Sequence, residues 1–180
     1  MDGTVAGLHL SAENTFSKVS VDQAVLVAGI GMEGDAHAGP TVMHRSRRKR
    51  SPDDPNLRQV HVVSSELHEE LNADGFDIAL GAFGENITTR GIALGDLPVG
   101  TTLRFGDDAI IALTGMRDPC AQIDGLAEGL REAVAFQPAS GPKLFRDGVM
   151  AVVVRGGTVR VGDTVRVALP PEPHQPLEKV

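Results

Sequence analysis

The sequence predicts a mostly β protein, an antiparallel β-barrel with a few short helices. Three observations lead there. Short runs rich in Val, Ile, Leu and Thr recur along the chain. Turn residues punctuate them, with 21 glycines and 11 prolines in 180 residues. Only two stretches space their apolar side chains as a helix would.

Thr4–Leu10 and Ala24–Val27 are the first strands, the second closed by a glycine-rich turn. Leu57–Val63 is β-rich and ends at Ser64-Ser65, where a hydroxyl can cap a helix. The next segment, Glu66–Asp74, places Leu67 and Leu71 four apart, with Gly75 where a helix would stop. Ile87–Thr89, Thr101–Phe105 and Ala109–Thr114 read as strands. Ile123, Leu126, Leu130 and Val134 then recur at helical spacing, weakened by Gly125 and Gly129. Gly148–Val154 and Val159–Val167 are the clearest strands, joined by Arg155-Gly156-Gly157-Thr158 as a hairpin turn. Val161, Val165 and Val167 are expected to share one face, apart from the Gly162-Asp163 turn. His44–Pro55, with Arg45, Arg47, Arg48, Lys49 and Arg50, is expected to be a loop. Residues 1–168 form the expected domain, and the proline-rich 169–180 a loose C-terminal tail.

Composition narrows the function. Hydrophobic residues make up 41 %, enough for one sizeable core. A net charge of −7 and the absence of Trp and Tyr argue against nucleic acid or an anionic membrane as partner. The single cysteine permits no internal disulfide, and no signal peptide or membrane-length apolar run is evident. The expectation is a soluble, cytoplasmic protein.

Gly29-Ile30-Gly31-Met32-Glu33-Gly34 matches a dinucleotide-binding fingerprint, but Gly39-Pro40 would end any helix that followed, and no βαβ unit does. A tight turn presenting Asp35 and His37 is the better reading. Two apart, these side chains would point the same way in an extended segment and orient each other for proton transfer. The alternative is a loop-capping Asp and a locally satisfied His. Gly81-Ala82-Phe83-Gly84-Glu85-Asn86 is a second glycine-rich turn. Either its backbone approaches a ligand, with Asn86 as donor and acceptor, or Glu85 and Asn86 simply close the turn.

Thr114-Gly115-Met116-Arg117-Asp118-Pro119-Cys120 is the most informative stretch. Pro119 suits the first position of a helix, which would place Cys120 near the positive end of its dipole. That position and Arg117 favour the thiolate that attacks electrophiles, carries sulfur or binds a soft metal; Asp118 opposes it. The alternative is an inert buried cysteine. No His-Glu-x-x-His zinc motif, Walker loop or Gly-x-Ser-x-Gly elbow occurs. The basic run is either a solvated loop or an arm for a phosphorylated ligand.

Three motifs therefore occur in order, at 31–39, 81–91 and 114–120, followed by Gly148-Val149-Met150-Ala151 and Val159-Arg160-Val161-Gly162-Asp163. As an ordered set they closely resemble the MOSC family, over about Gly3 to Val167. The resemblance implies a distorted β-barrel and a pocket for the molybdenum cofactor, a molybdopterin with a terminal phosphate. It places the family cysteine at Cys120, as metal ligand or persulfide carrier, and Gly84, Glu85, Asn86, Thr114 and Arg117 on other motif positions. Arg45, Arg47, Arg58 and Arg90 are further candidates for the cofactor. The family is linked to pyridoxal-phosphate cysteine desulfurases, for which this chain has no room. The sulfur or electron donor is thus expected to be a separate desulfurase or electron-transfer protein. The implied substrate is a small molecule, an N-hydroxylated compound in the reductase reading, with a sulfur carrier or non-catalytic module as the alternative.

Overall fold

The computed structural model describes residues 2–13, 15, 17–43, 51–118, 121–137 and 143–180. Cys120, Pro119 and the basic residues Arg45, Arg47, Arg48, Lys49 and Arg50 lie outside them.

Strands β1 (Asp2–Leu10), β2 (Val19–Val21), β3 (Gln23–Val27) and β4 (Gly31–Met32) open the chain. β5 (Val60–Ser64) leads into helix α1 (Ser65–Ala73), and β6 (Ile87–Arg90), β7 (Thr102–Phe105) and β8 (Ala109–Met116) follow. A 3-10 turn (Ala121–Gly125), a one-turn helix α2 (Leu130–Ala133) and the short β9 (Ala135–Phe136) and β10 (Leu144–Phe145) come next. β11 (Val149–Arg155), β12 (Gly157–Arg160) and β13 (Thr164–Ala168) complete the sheets. Neighbouring strands run β13-β7-β8-β11-β5-β6-β1, and β13 pairs back to β1, which closes a barrel and removes its edges. β2 hangs on the far half of β1, and β12-β3-β4 form a second small sheet.

The barrel pairings are antiparallel except β5–β6, whose parallel strands are bridged through α1. Alternation along β8 buries Ala109, Ile111 and Leu113 against Val5, Leu103, Phe105, Val153 and Val165. A second cluster lies outside β5, where Leu67 and Leu71 of α1 meet Val63, Phe83, Ile123, Leu130 and Val134. The α1 cap is as expected: the Ser64 hydroxyl accepts the Leu67 N–H at 3.3 Å.

Four expectations need correction. The helix through Ile123–Val134 does not form; Gly129 takes φ +79°, which splits the segment into the 3-10 turn and α2. Its apolar residues are buried as the spacing suggested, but the described residues 121–137 hold no long helix. The turn at 155–158 closes no hairpin. β11 pairs with β5 and β8, whereas β12 pairs with β3. Gly156 is where the chain leaves one sheet for the other: a Cβ there would lie 2.8 Å from the Leu26 carbonyl. Val165 is buried but Val161 is exposed, because the intervening turn breaks the alternation. Finally, the 169–180 segment is not loose at its end: residues 171–176 are exposed, but Leu177 is buried in the main core.

Candidate functional site

The three motif segments meet where β8 ends and β6 and β11 begin. Asp35, in the turn after β4, is buried, and its carboxylate binds back on the protein. Oδ1 accepts the His37 N–H at 3.0 Å and lies 3.3 Å from His37 Nδ1. Oδ2 accepts from the Asn86 amide at 3.1 Å and the Ser11 N–H at 3.3 Å, and lies 2.7 Å from Lys18 Nζ. Burial alone would raise the Asp35 pKa; the contacts to His37 and Lys18 hold it well below the usual range. The segment is a turn, not the extended stretch the two-residue spacing implied, and the carboxylate itself brings His37 alongside. The His37 side chain remains 31 % exposed while that of Asp35 is fully covered.

Asn86 links this turn to the barrel. Its side-chain oxygen accepts the His61 N–H at 3.1 Å, and its own N–H donates to the His61 carbonyl at 2.8 Å. His61, on β5, approaches the Asp147 carbonyl at 2.8 Å through Nε2. A carbonyl only accepts, so Nε2 carries the proton. Burial, reinforced by the charge of Arg117, lowers the His61 pKa well below its ordinary value. Asp147 Oδ2 then accepts from Arg117 Nη1 at 2.7 Å. Asp147 is fully buried, and its Oδ1 has no hydrogen-bond partner among the described residues. Burial pushes this carboxyl up to about 6, against the pull of Arg117 and the nearby charge of Arg58. Polar contacts thus run unbroken from Lys18 and Asp35 through Asn86, His61 and Asp147 to Arg117.

The other expected residues divide. Arg58 is half-buried beside this cluster, its N–H held by Asn56 Oδ1 at 3.1 Å. The Thr114 hydroxyl donates to the Leu57 carbonyl at 2.6 Å, tying the end of β8 to the approach of β5. Glu85 turns inward: Oε1 accepts the Gly81 N–H at 2.6 Å and lies 3.1 Å from His68 Nε2. Burial would raise its pKa, but these contacts hold it below the usual carboxylate range. Gly84 takes φ +76° within the same turn, so Gly84 and Glu85 close the loop that presents Asn86. Arg90 stands apart, exposed at the end of β6 and paired with Glu69 of α1. Cys120, Arg45 and Arg47 lie outside the described residues. Lys18, His61, His68 and Asp147 were not foreseen.

Among the described residues no group of three or more His, Cys, Asp or Glu could hold a metal ion. No helix among the described residues is long and apolar enough to cross a membrane.

Comparison with known proteins agrees with the geometry. The family model for the MOSC domain matches residues 33–166. The YuaD protein from Bacillus subtilis has the same fold, with a TM-score of 0.75 at 25 % identity over 95 % of this chain and 98 % of that one. YiiM from Escherichia coli shares the fold at a TM-score of 0.63 and 19 % identity, covering 97 % of this chain and 73 % of that one. A protein named "Reductase" from Gibberella moniliformis is 25 % identical over 155 residues, 84 % of this chain. The match covers 25 % of that relative, so this chain spans about a quarter of its length.

Proposed function

We infer a function from the premise that this chain belongs to the MOSC domain family: it binds the molybdenum cofactor and reduces N-hydroxylated compounds, with Cys120 as the protein's ligand to the metal. The carrying observation is the continuous polar path from Asp35 through Asn86 and His61 to Arg117, three residues before Cys120 in sequence.

The residues present fit such a group. The absence of a self-sufficient metal cluster among the described residues suits a metal that arrives with its own ligands and asks for one thiolate. Arg117 and Arg58 supply positive charge beside a buried carboxylate, as an anionic cofactor requires. Arg45 and Arg47 are proposed to reach its phosphate. When bound, the cofactor would supply a two-electron redox centre. Reduction of an N–OH group to N–H takes two electrons and two protons and releases water. A separate electron-transfer protein is the proposed electron source.

The chain's own part is to hold the ligand and manage the protons. The partly exposed His37 imidazole is the proposed proton carrier. Asp35 orients that ring and stays out of contact with substrate, because both its oxygens are taken by the protein. The desulfurase linkage that the family resemblance implied has no support and enters no step.

The test is turnover of an N-hydroxylated amidine by cofactor-loaded protein with reduced methyl viologen as electron donor. Wild type is expected to form the amidine and Cys120→Ser to lose at least 100-fold in rate, roughly the cost of an essential metal ligand. Equal rates in the two proteins would overturn the assignment. Persulfide on Cys120 without turnover would favour the sulfur-carrier alternative.

A further inference from the structure

Residues 175–180 lie beyond the segment the family model matches, which ends at residue 166. They are nonetheless built into the site. The Val99 N–H donates to the Gln175 carbonyl at 2.9 Å, and Leu177 sits in the barrel core. The Met116 N–H then donates to the Glu178 carbonyl at 2.7 Å, and the Val180 N–H to the Met116 carbonyl at 3.3 Å. These bonds form a parallel bridge between Met116 and Lys179. β7 pairs β8 along Ala109–Ala112. Past that point residues 178–180 satisfy the backbone on the edge of β8 opposite β11.

The segment clamped in this way is the one that leads to Cys120. On its other side Met116 is in register with Val149, and the Arg117 N–H donates to the Gly148 carbonyl at 3.0 Å. Gly115 is shaped to the same contact: a Cβ there would lie 2.5 Å from the Glu178 carbonyl oxygen and 2.7 Å from Val180 Cβ. Side chains add a second hold. Lys179 Nζ is 2.9 Å from Asp118 Oδ1 and 5.2 Å from the centre of the Phe145 ring.

We propose that residues Leu177–Val180 are part of the ligand site, with Lys179 a positioning residue that acts through Asp118 to hold the segment Met116–Asp118. The proposal rests on the reading that Arg117 and Cys120 serve a ligand. Lys179 does two things there. It fixes Asp118, two residues from Cys120, and it compensates a carboxylate that would otherwise repel an anionic group. The pair is partly exposed, at 35 % and 44 %, so its effect is modest and the backbone pairing carries more.

Amide hydrogen exchange at Met116 and Arg117, with pterin retention after dialysis as a second readout, tests this on the full chain. Lys179→Met is expected to speed exchange at both amides about threefold to fivefold, the range for an exposed pair, and to reduce retention. Lys179→Arg should keep both readouts near wild type. Reversing the pair, Asp118→Lys with Lys179→Asp, should restore exchange, which a role in packing alone would not. Gly115→Ala should speed exchange by about tenfold or more, the size of a lost buried backbone hydrogen bond, and removal of 178–180 from that variant should add nothing at these amides. A Lys179→Met protein that exchanges as wild type does, or a reversed pair no better than Lys179→Met, would overturn the proposal. A wild type without pterin would remove the cofactor reading alone, and the exchange results would still decide the positioning.

Discussion

Asp147 is fully buried with one oxygen on Arg117 and the other without a partner among the described residues, and its pKa is raised to about 6 by burial. The native state therefore holds this proton more tightly than the unfolded chain, whose Asp pKa is about 3.9. Its contribution is fully present below the unfolded value and is lost as pH rises through about 6. His61 works in the opposite sense, since its lowered pKa costs stability as pH falls through the unfolded value of about 6.5. Comparison with Asp147→Asn isolates the carboxyl. From pH 4 to pH 7 the wild type should lose roughly 2 kcal/mol relative to that variant, measured by urea unfolding; a constant difference would contradict the account. Asn86→Ala should be costly for another reason. It leaves the His61 N–H and one Asp35 bond unfilled inside the protein, which predicts a loss of about 2–4 kcal/mol. A midpoint within a few tenths of a kcal/mol of wild type would show the link to be slack. Asp35, His37, Asn86 and Arg117 were legible because glycines and a proline flag the turns that carry them. Lys18, His61 and Asp147 were not, because nothing beside them in sequence marks them. Lys18 acquires its role only when the barrel closes and brings it to Asp35 from 17 positions away.

At the scale of elements, legibility followed how local the causes are. α1 announced itself through its serine cap, its leucine pair and Gly75, all within about a dozen residues. The segment 121–136 did not. Its apolar spacing was real, and Ile123, Leu130 and Val134 are fully buried, but the glycines allow a folded coil to present the same face as a helix. The turn at 155–158 misled because hairpin chemistry is also what a chain needs to step between sheets, and only the approach of Leu26 tells the two apart. The basic stretch 44–50 lies outside the described residues, but its flanks are described. Thr41 bridges to Pro55, and the Val42 N–H donates to the Asp54 carbonyl at 3.0 Å, so the ends of the loop are pinned together. Asn56 then binds the carbonyls of His37 and Gly39, each at 3.0 Å. These contacts tie the described residues that follow the stretch to the His37 turn. Changing Arg45, Arg47, Arg48 and Arg50 to Ala is predicted to lower pterin retention at least tenfold and to make it less sensitive to salt. Unchanged retention with intact circular dichroism would return the arm to solvent and point to Arg58 and Arg117.

The whole molecule is a closed barrel whose sheet order could not be read from strand propensities alone, because β1 pairs with β13 across the full length of the chain. The class of fold was legible, since alternation and frequent turns leave few other ways to bury so many short strands. Closure brings 31–39, 81–91 and 114–118, scattered over most of the sequence, to one corner. The account stands on that corner holding a molybdenum-bearing pterin. Protein expressed in a host with the cofactor pathway intact, purified by gel filtration and assayed for molybdenum by mass spectrometry and for pterin by fluorescence after oxidation, tests this most directly. The account predicts molybdenum and pterin together, approaching one of each per chain in wild type and falling sharply in Cys120→Ser. Repeated preparations of folded wild-type protein with neither molybdenum nor pterin would contradict it.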